Sequence, residues 1–326
     1  MISHSADRIR QLDWGACHHL LQRVLEDVST LPSLEDLVFQ NELCDFGLDL
    51  TQNTISLTRF PSLRRLQLNN SRRLTASDTP ATYLNICWPS TPFSTLQELE
   101  ICNQYLSISA FRSIGSNCSS LVHLELQSVV LPMTDGLDAA YHPMTLPLLR
   151  TLRLCFRTYN NTLLHELSRF DMPMIEEIAL VFLPPYDFLT SEEELDALGL
   201  LSFLQRHPSV RRFSSSAMST NATLLLSFLG GSCLPSLMRL HLHVEEWPNL
   251  WFMQAQDEEH VTVLEESLKA RWALMCSAAP DALISLSARP PEALLKRLTN
   301  AGIRLKVPPP RWHSEVKGGE IHLRTH

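Results

Sequence analysis

The frame Pro-x-Leu-x-x-Leu-x-Leu recurs along this chain and limits its fold more than any other feature. It is complete in Pro61-Ser62-Leu63-Arg64-Arg65-Leu66-Gln67-Leu68. It is complete again from Pro147 to Leu154 and Pro235 to Leu242, and returns with one to three substitutions from Pro32 to Phe39, Pro173 to Leu180 and Pro208 to Ser215. Without the proline it reads Leu96-x-x-Leu99-x-Ile101 and Leu121-x-x-Leu124-x-Leu126, and a first copy reads Ile9-x-x-Leu12-x-Trp14. The alternation at its end predicts a short strand with one apolar side. The apolar residues at positions one, four and six are expected to face inward, each contributing about 1.5–3 kcal/mol when buried. No single copy can bury that side alone, so neighbours must stack. The proline cannot continue an incoming helix, and it tolerates the start of a strand, where a missing N–H costs little.

The first apolar positions fall at 9, 34, 63, 96, 121, 149, 175, 210 and 237, so copies lie 25, 29, 33, 25, 28, 26, 35 and 27 residues apart. Repeats of this length predict an α/β leucine-rich-repeat solenoid, a ribonuclease-inhibitor-like horseshoe with strands on the concave side and helices or irregular turns on the convex side. Helices are predicted from Leu20 to Val28, Ser107 to Ser116, Asn161 to Phe170, Ser191 to Leu204 and Thr220 to Phe228. After Val244 the rhythm breaks into an insertion, 245–280, with Trp247, Trp251 and a helix from Glu259 to Met275. The apolar face of that helix reads as Val261, Val263, Leu264, Leu268 and Trp272. A strand from Ala282 to Leu286, a helix from Glu292 to Thr299 and a strand through Ile303, Leu305 and Val307 follow. The expected organisation is a repeat array over 1–308, of about nine to eleven irregular repeats, and a polar, disordered tail over 309–326. Nothing upstream of Ile9 is long enough to cap the array, which predicts a preceding module or a covering chain.

Composition removes several functional classes. Net charge is −8, with acidic and basic residues interspersed, which excludes the basic stripe of a general nucleic-acid or membrane-surface binder. The N-terminus has no apolar segment of a secretory signal, and no apolar run approaches the ~18 residues of a membrane span. The expected location is intracellular, cytoplasmic or nuclear. The cysteines at 17, 44, 87, 102, 118, 155, 233 and 276 form no C-x-x-C pair, so no zinc knuckle or dithiol site is indicated.

Catalytic motifs are missing as well. There is no G-x-G-x-x-G, phosphate-binding loop or G-x-S-x-G, and glycines number ten. Cys17-His18-His19 places its histidines on different helix faces, and His165-Glu166 lacks a second histidine. The expectation is a non-enzyme without cofactor or metal. What remains is the side of the strands opposite the leucines. Position three gives Gln11, Asp36, Arg65, Glu98, His123, Thr151, Glu177, Arg212 and Arg239. Position five gives Asp13, Val38, Gln67, Glu100, Glu125, Arg153, Ala179, Ser214 and His241. The candidate binding face is Arg65, Gln67, Glu98, Glu100, His123, Glu125, Arg153, Glu177, Arg212, Arg239 and His241, with an acidic patch at Glu98, Glu100 and Glu125 followed by an isolated base, Arg153. Charged and varied side chains on such a face suit protein recognition or simple solvation.

The frames from Ile9-Arg10-Gln11-Leu12 to Pro235-Ser236-Leu237-Met238-Arg239-Leu240, with the ending Leu294-Leu295-Lys296-Arg297-Leu298-Thr299-Asn300-Ala301-Gly302-Ile303-Arg304-Leu305, resemble the leucine-rich region of F-box proteins from mushroom-forming fungi. The resemblance implies a substrate-recognition region of a cullin-type ubiquitin ligase, with a protein partner on the concave face. In that family a separate F-box helix bundle docks on the SCF adaptor. No L-P-x-E-[IVL]-L-type F-box helix is seen in this chain, so the adaptor is an expected partner only if an F-box precedes Met1. The alternative is a stand-alone or degenerate leucine-rich scaffold with no ligase link.

Overall fold

A computed structural model describes residues 8–16, 31–41, 53–70, 83–87, 93–103, 105–106, 108–127, 129, 144–156, 161–182, 197–216, 222–243, 258–309, 312–317 and 320–325. The helix expected over Leu20 to Val28, the Cys17-His18-His19 cluster, Ser191 to Glu194 and the tryptophans at 247 and 251 lie outside the described residues. The chain divides into two compact units, Met1–Ser209 and Val210–His326.

The strands of the first unit are β1 (Gln11–Ala16), β2 (Asp36–Asn41), β3 (Asn53–Ser56), β4 (Arg65–Asn70), β5 (Tyr83–Cys87) and β6 (Glu98–Cys102). They continue with β7 (Tyr105–Leu106), β8 (His123–Gln127), β9 (Met144–Thr145), β10 (Thr151–Phe156), β11 (Phe170–Asp171) and β12 (Glu177–Phe182). Every strand that carries a repeat frame enters one parallel sheet in the order β1-β2-β4-β6-β8-β10-β12. Its register joins equivalent frame positions, Gln11 to Asp36 to Arg65 to Glu98 to His123 to Thr151 to Glu177. Parallel strands need a crossover connection. Among the described residues, helices α1 (Ile108–Asn117), α2 (Asn161–Leu167) and α3 (Ala197–Gln205) lie in such crossovers. Small parallel ladders, β3-β5-β7 and β9-β11, link successive crossovers, including those that carry α1 and α2.

The frame leucines form the core as expected. Leu63, Leu66, Leu96, Leu99, Leu121, Leu149, Leu152, Ile175 and Ile178 are wholly buried, and Leu68, Leu124, Leu126 and Leu180 nearly so. The proline has a sharper task than ending a helix. Leu34 N–H bonds to Leu31 O, Leu63 to Phe60, Leu149 to Leu146 and Ile175 to Met172. Each is a four-residue turn with proline second, the position whose φ the ring pre-sets. The residue after the proline also works. Ser62 Oγ donates to Pro32 O at 2.5 Å, and Thr95 Oγ1 donates to Pro61 O at 3.1 Å, tying each turn to the one before. Two adjacent frames replace this hydroxyl with Leu148 and Met174, both strongly exposed.

Helix α1 runs through Gly115, so the glycine does not loosen its end. It serves packing: a Cβ there would stand 2.7 Å from Phe170 Cε1 and 2.8 Å from Met144 Cβ. Beside it, Arg112 of α1 and Arg169 surround the fully buried carboxylate of Glu166.

In the second unit, β13 (Arg212–Ser215), β14 (Arg239–Leu242), β15 (Leu283–Leu286) and β16 (Leu305–Lys306) pair in parallel and in chain order. Ser215, which stands where the frame calls for leucine, is still fully buried at the end of β13. Helices α4 (Ala222–Gly230), α5 (Glu258–Ala278) and α6 (Glu292–Asn300) complete the unit. The α6 end is a Schellman turn. Gly302, at φ 78°, bonds to Thr299 O, and Ile303 bonds to Leu298 O, bringing two buried apolar residues together.

Two expectations are corrected in this unit. Helix α5 buries Leu264, Leu268 and Met275, but also Glu265 and Arg271, while Val263 is exposed. The polar pair is accommodated because each has partners. Arg297 Nε donates to Glu265 Oε2 at 2.6 Å and Lys269 lies 2.8 Å from Glu265 Oε1. Arg271 donates to the carbonyls of Cys233 at 2.7 Å, Gly231 at 2.9 Å and Phe228, and lies 4.6 Å above the Phe228 ring. It therefore closes the C-terminal end of α4, where the helix dipole favours a cation. The second correction is the tail. Residues Trp312–Lys317 (β17) and Glu320–Thr325 (β18) pair as an antiparallel hairpin. Alternating residues on both sides of Gly318-Gly319 are a hairpin pattern, which the polar composition obscures.

Candidate functional site

Because side chains alternate along each strand, burying positions four and six turns three and five outward. In the first unit the register then lays them in two lines across the sheet. One runs through Asp36, Arg65, Glu98, His123, Thr151 and Glu177, the other through Val38, Gln67, Glu100, Glu125, Arg153 and Ala179. Arg65, Gln67, Glu98, Glu100, His123, Glu125, Arg153 and Glu177 thus occupy one continuous face, on strands about 4.8 Å apart.

The middle of that face is a connected network. Arg65 Nε lies 3.5 Å from Glu98 Oε2. Gln67 Nε2 donates to Glu100 Oε1 at 3.1 Å. Glu100 stands directly opposite Glu125, and two like charges so placed repel. The neighbours offset that repulsion. His123 Nε2 lies 3.8 Å from Glu125 Oε2, and Arg153 Nε lies 3.6 Å from Glu125 Oε1. Arg153 is therefore not the isolated base that its position suggests. The His123 hydrogen bond, aided by Arg153 and opposed by burial, holds the Glu125 carboxyl below its ordinary pKa.

A third line, at position seven, carries residues that the frame did not single out: Asn69, Cys102, Gln127 and Cys155. Cys102 Sγ lies 3.3 Å from Glu100 Oε1 and 3.4 Å from Gln127 Oε1. Extending the two-residue alternation one step past the last leucine would have found them. Burial first, and then the Glu100 charge, raises the pKa of the Cys102 thiol, and burial raises that of Cys155. Neither is an activated thiolate. With Gln127 between them they are about 10 Å apart at Cα, beyond the ~7 Å that a disulfide spans. Among the described residues no group of His, Cys, Asp and Glu could hold a metal ion, and no helix is long and apolar enough to cross a membrane.

In the second unit, Arg212 stands opposite Arg239, and Ser214, His241, Ser285 and Lys306 form the next line. His241 and His243 meet edge to face, with ring centroids 4.2 Å apart. Burial, then the Lys306 charge, lowers the His241 pKa, which keeps the ring neutral.

No family model matches this chain, and no curated protein matches it. A crystal structure of a protein from Bacteroides fragilis is similar over 93% of this chain, with a TM-score of 0.40 and 11% sequence identity. This chain covers 66% of that protein's length.

What the geometry offers is a broad, solvent-facing array of charged groups, fixed in place by buried leucines beneath. It holds donors and acceptors in pairs along the strands rather than converging on one atom. Such a surface suits recognition of an extended partner better than bond-making on a small substrate.

Proposed function

We propose that this chain is a leucine-rich-repeat solenoid of the ribonuclease-inhibitor-like, horseshoe type that recognises another protein through its strand face. The observation that carries the reading is the register. It sets Arg65, Gln67, Glu98, Glu100, His123, Glu125 and Arg153 on one outward surface, while the intervening leucines are buried. Cross-strand pairing of Gln67 with Glu100 and of Arg153 with Glu125 holds these side chains in fixed positions on that surface. The likeness to the substrate-recognition region of F-box proteins makes a ubiquitin-ligase substrate the partner, with the SCF adaptor bound only where an F-box precedes Met1. The alternative is a scaffold with the same binding face and no ligase link.

Affinity capture of the wild-type chain beside Asp36→Lys/Glu98→Lys tests the reading, because both side chains stand on the face away from the core. The expected result is a specific partner lost from the face variant and kept by a variant of the exposed helix residue Glu292→Lys. Identical partners from all three proteins would overturn it. Recovery of an adaptor and a cullin with an F-box-bearing longer chain favours the ligase form. Their absence with the partner retained favours the scaffold.

A further inference from the structure

The sheet face of the second unit differs in charge from that of the first. On the first face Asp36, Glu98, Glu100, Glu125 and Glu177 outnumber Arg65 and Arg153. On the second, the line Arg212–Arg239–Leu283 and the line Ser214–His241–Ser285–Lys306 contain no carboxylate. Among the described residues, Glu265, Glu266 and Glu292, which pair with cations, lie on helices α5 and α6. Arg239 and Lys306 are exposed, and neither contributes to the core.

We infer that the β13–β16 face binds an acidic, extended segment of a partner protein, with Arg239 and Lys306 as its carboxylate contacts and the Ser214 and Ser285 hydroxyls and the His241 ring as neutral hydrogen-bonding neighbours. The spacing fits. Arg239 on β14 and Lys306 on β16 are two strands and two residues apart, about 12 Å, which is the reach of three to four residues of extended chain. The arginine offers a fork matched to a carboxylate, and the lysine a point charge. A nucleic acid fits less well. Three cations supply few phosphate contacts, the one ring in the two lines, His241, is packed edge to face against His243, and the whole chain carries net charge −8.

This inference rests on the protein-recognition reading and names the chemistry of one part of that partner. The test is fluorescence anisotropy with the full chain and a labelled short peptide bearing glutamate at every second position. An equal-length peptide with glutamine in place of glutamate and a single-stranded RNA serve as comparisons. The acidic peptide is expected to bind in a salt-sensitive manner and to lose about tenfold or more in affinity with Arg239→Glu/Lys306→Glu. The milder Arg239→Gln/Lys306→Gln, checked for an unchanged melting curve, is expected to lose less. Equal binding of the glutamine peptide, tighter binding of the RNA, or indifference to both double variants would overturn the inference. Should the acidic peptide fail to bind while Asp36→Lys/Glu98→Lys still loses its captured partner, protein recognition stands and only this assignment falls.

Discussion

Arg112 and Glu166 meet through two parallel hydrogen bonds, Nε to Oε2 at 2.7 Å and Nη2 to Oε1 at 2.9 Å, and join helices 54 residues apart in sequence. Burial works to raise the Glu166 pKa, and the Arg112 bonds with the Arg169 charge outweigh it, so the carboxyl sits below its ordinary value. Breaking such a pair costs more than the pair itself contributes, because one buried charge is left behind. Arg112→Met is expected to destabilise the chain by about 3 kcal/mol in urea unfolding. The double variant Arg112→Met/Glu166→Leu is expected to recover most of that. A double variant as unstable as the single one would show that the site depends on the ion pair as such.

His207 gives the chain an acid-sensitive element. It is buried against Phe203, with ring centroids 4.8 Å apart, and burial, then the Arg206 charge, lowers its pKa to about 4. The unfolded ring takes up a proton near pH 6.5, so between those values the unfolded state binds more protons and stability drops as the pH is lowered. The contribution is intact above pH 6.5 and falls by about 3 kcal/mol as pH reaches 4. Urea midpoints of His207→Phe are expected to vary less across that window than those of the wild type. Parallel curves would mean that the ring is solvated.

Gly115→Ala sets two effects against each other. Alanine favours the helix by about 1 kcal/mol, but its Cβ meets Phe170 and Met144 well inside contact distance. Overpacking of this kind costs about 1–3 kcal/mol, so a net loss in thermal stability is expected. A raised melting temperature would mean that α1 moves away at little cost.

Leu124 lies under the centre of the first unit's face and is about 1% exposed. Leu124→Asp is expected to cost more than about 4 kcal/mol by burying a charge without a partner, and to unfold the surrounding repeats. Circular dichroism melting measures this directly. A near-normal melt would contradict the inward assignment of frame position four.

The period-two alternation was enough to read the buried columns, the outward lines and the strand order, because every frame repeats the same turn and the same register. The side-chain network was less legible. Nothing in the order of residues tells that Arg153 on one strand would neutralise Glu125 on another, since that depends on the conformations the two side chains adopt across the gap between strands. Arg112, Glu166 and Arg271 are no more legible, because their partners are distant in sequence and a lone charge in a helix reads as solvated. Val263 is exposed because helix α5 has no purely apolar side: a buried arginine and glutamate share the inward one. The hairpin near the end was hidden by polarity, although its alternation was present.

The turn at the head of each strand has an evolutionary consequence. Arg64 and Arg65 both donate their amides to Glu35 O, Gln97 and Glu98 to Arg64 O, and Val122 and His123 to Gln97 O. Each strand is thus placed by the strand before it, independently of how many residues lie between. Insertions and deletions in a crossover can therefore accumulate without disturbing the order of side chains on the sheet. Loss of one entire frame would be a substitution of neighbours: removal of the Glu98–Cys102 strand with its turn and crossover would bring Gln67 opposite Glu125. The outward surface can in this way be re-edited by whole units, one strand at a time, while the leucines below continue to match.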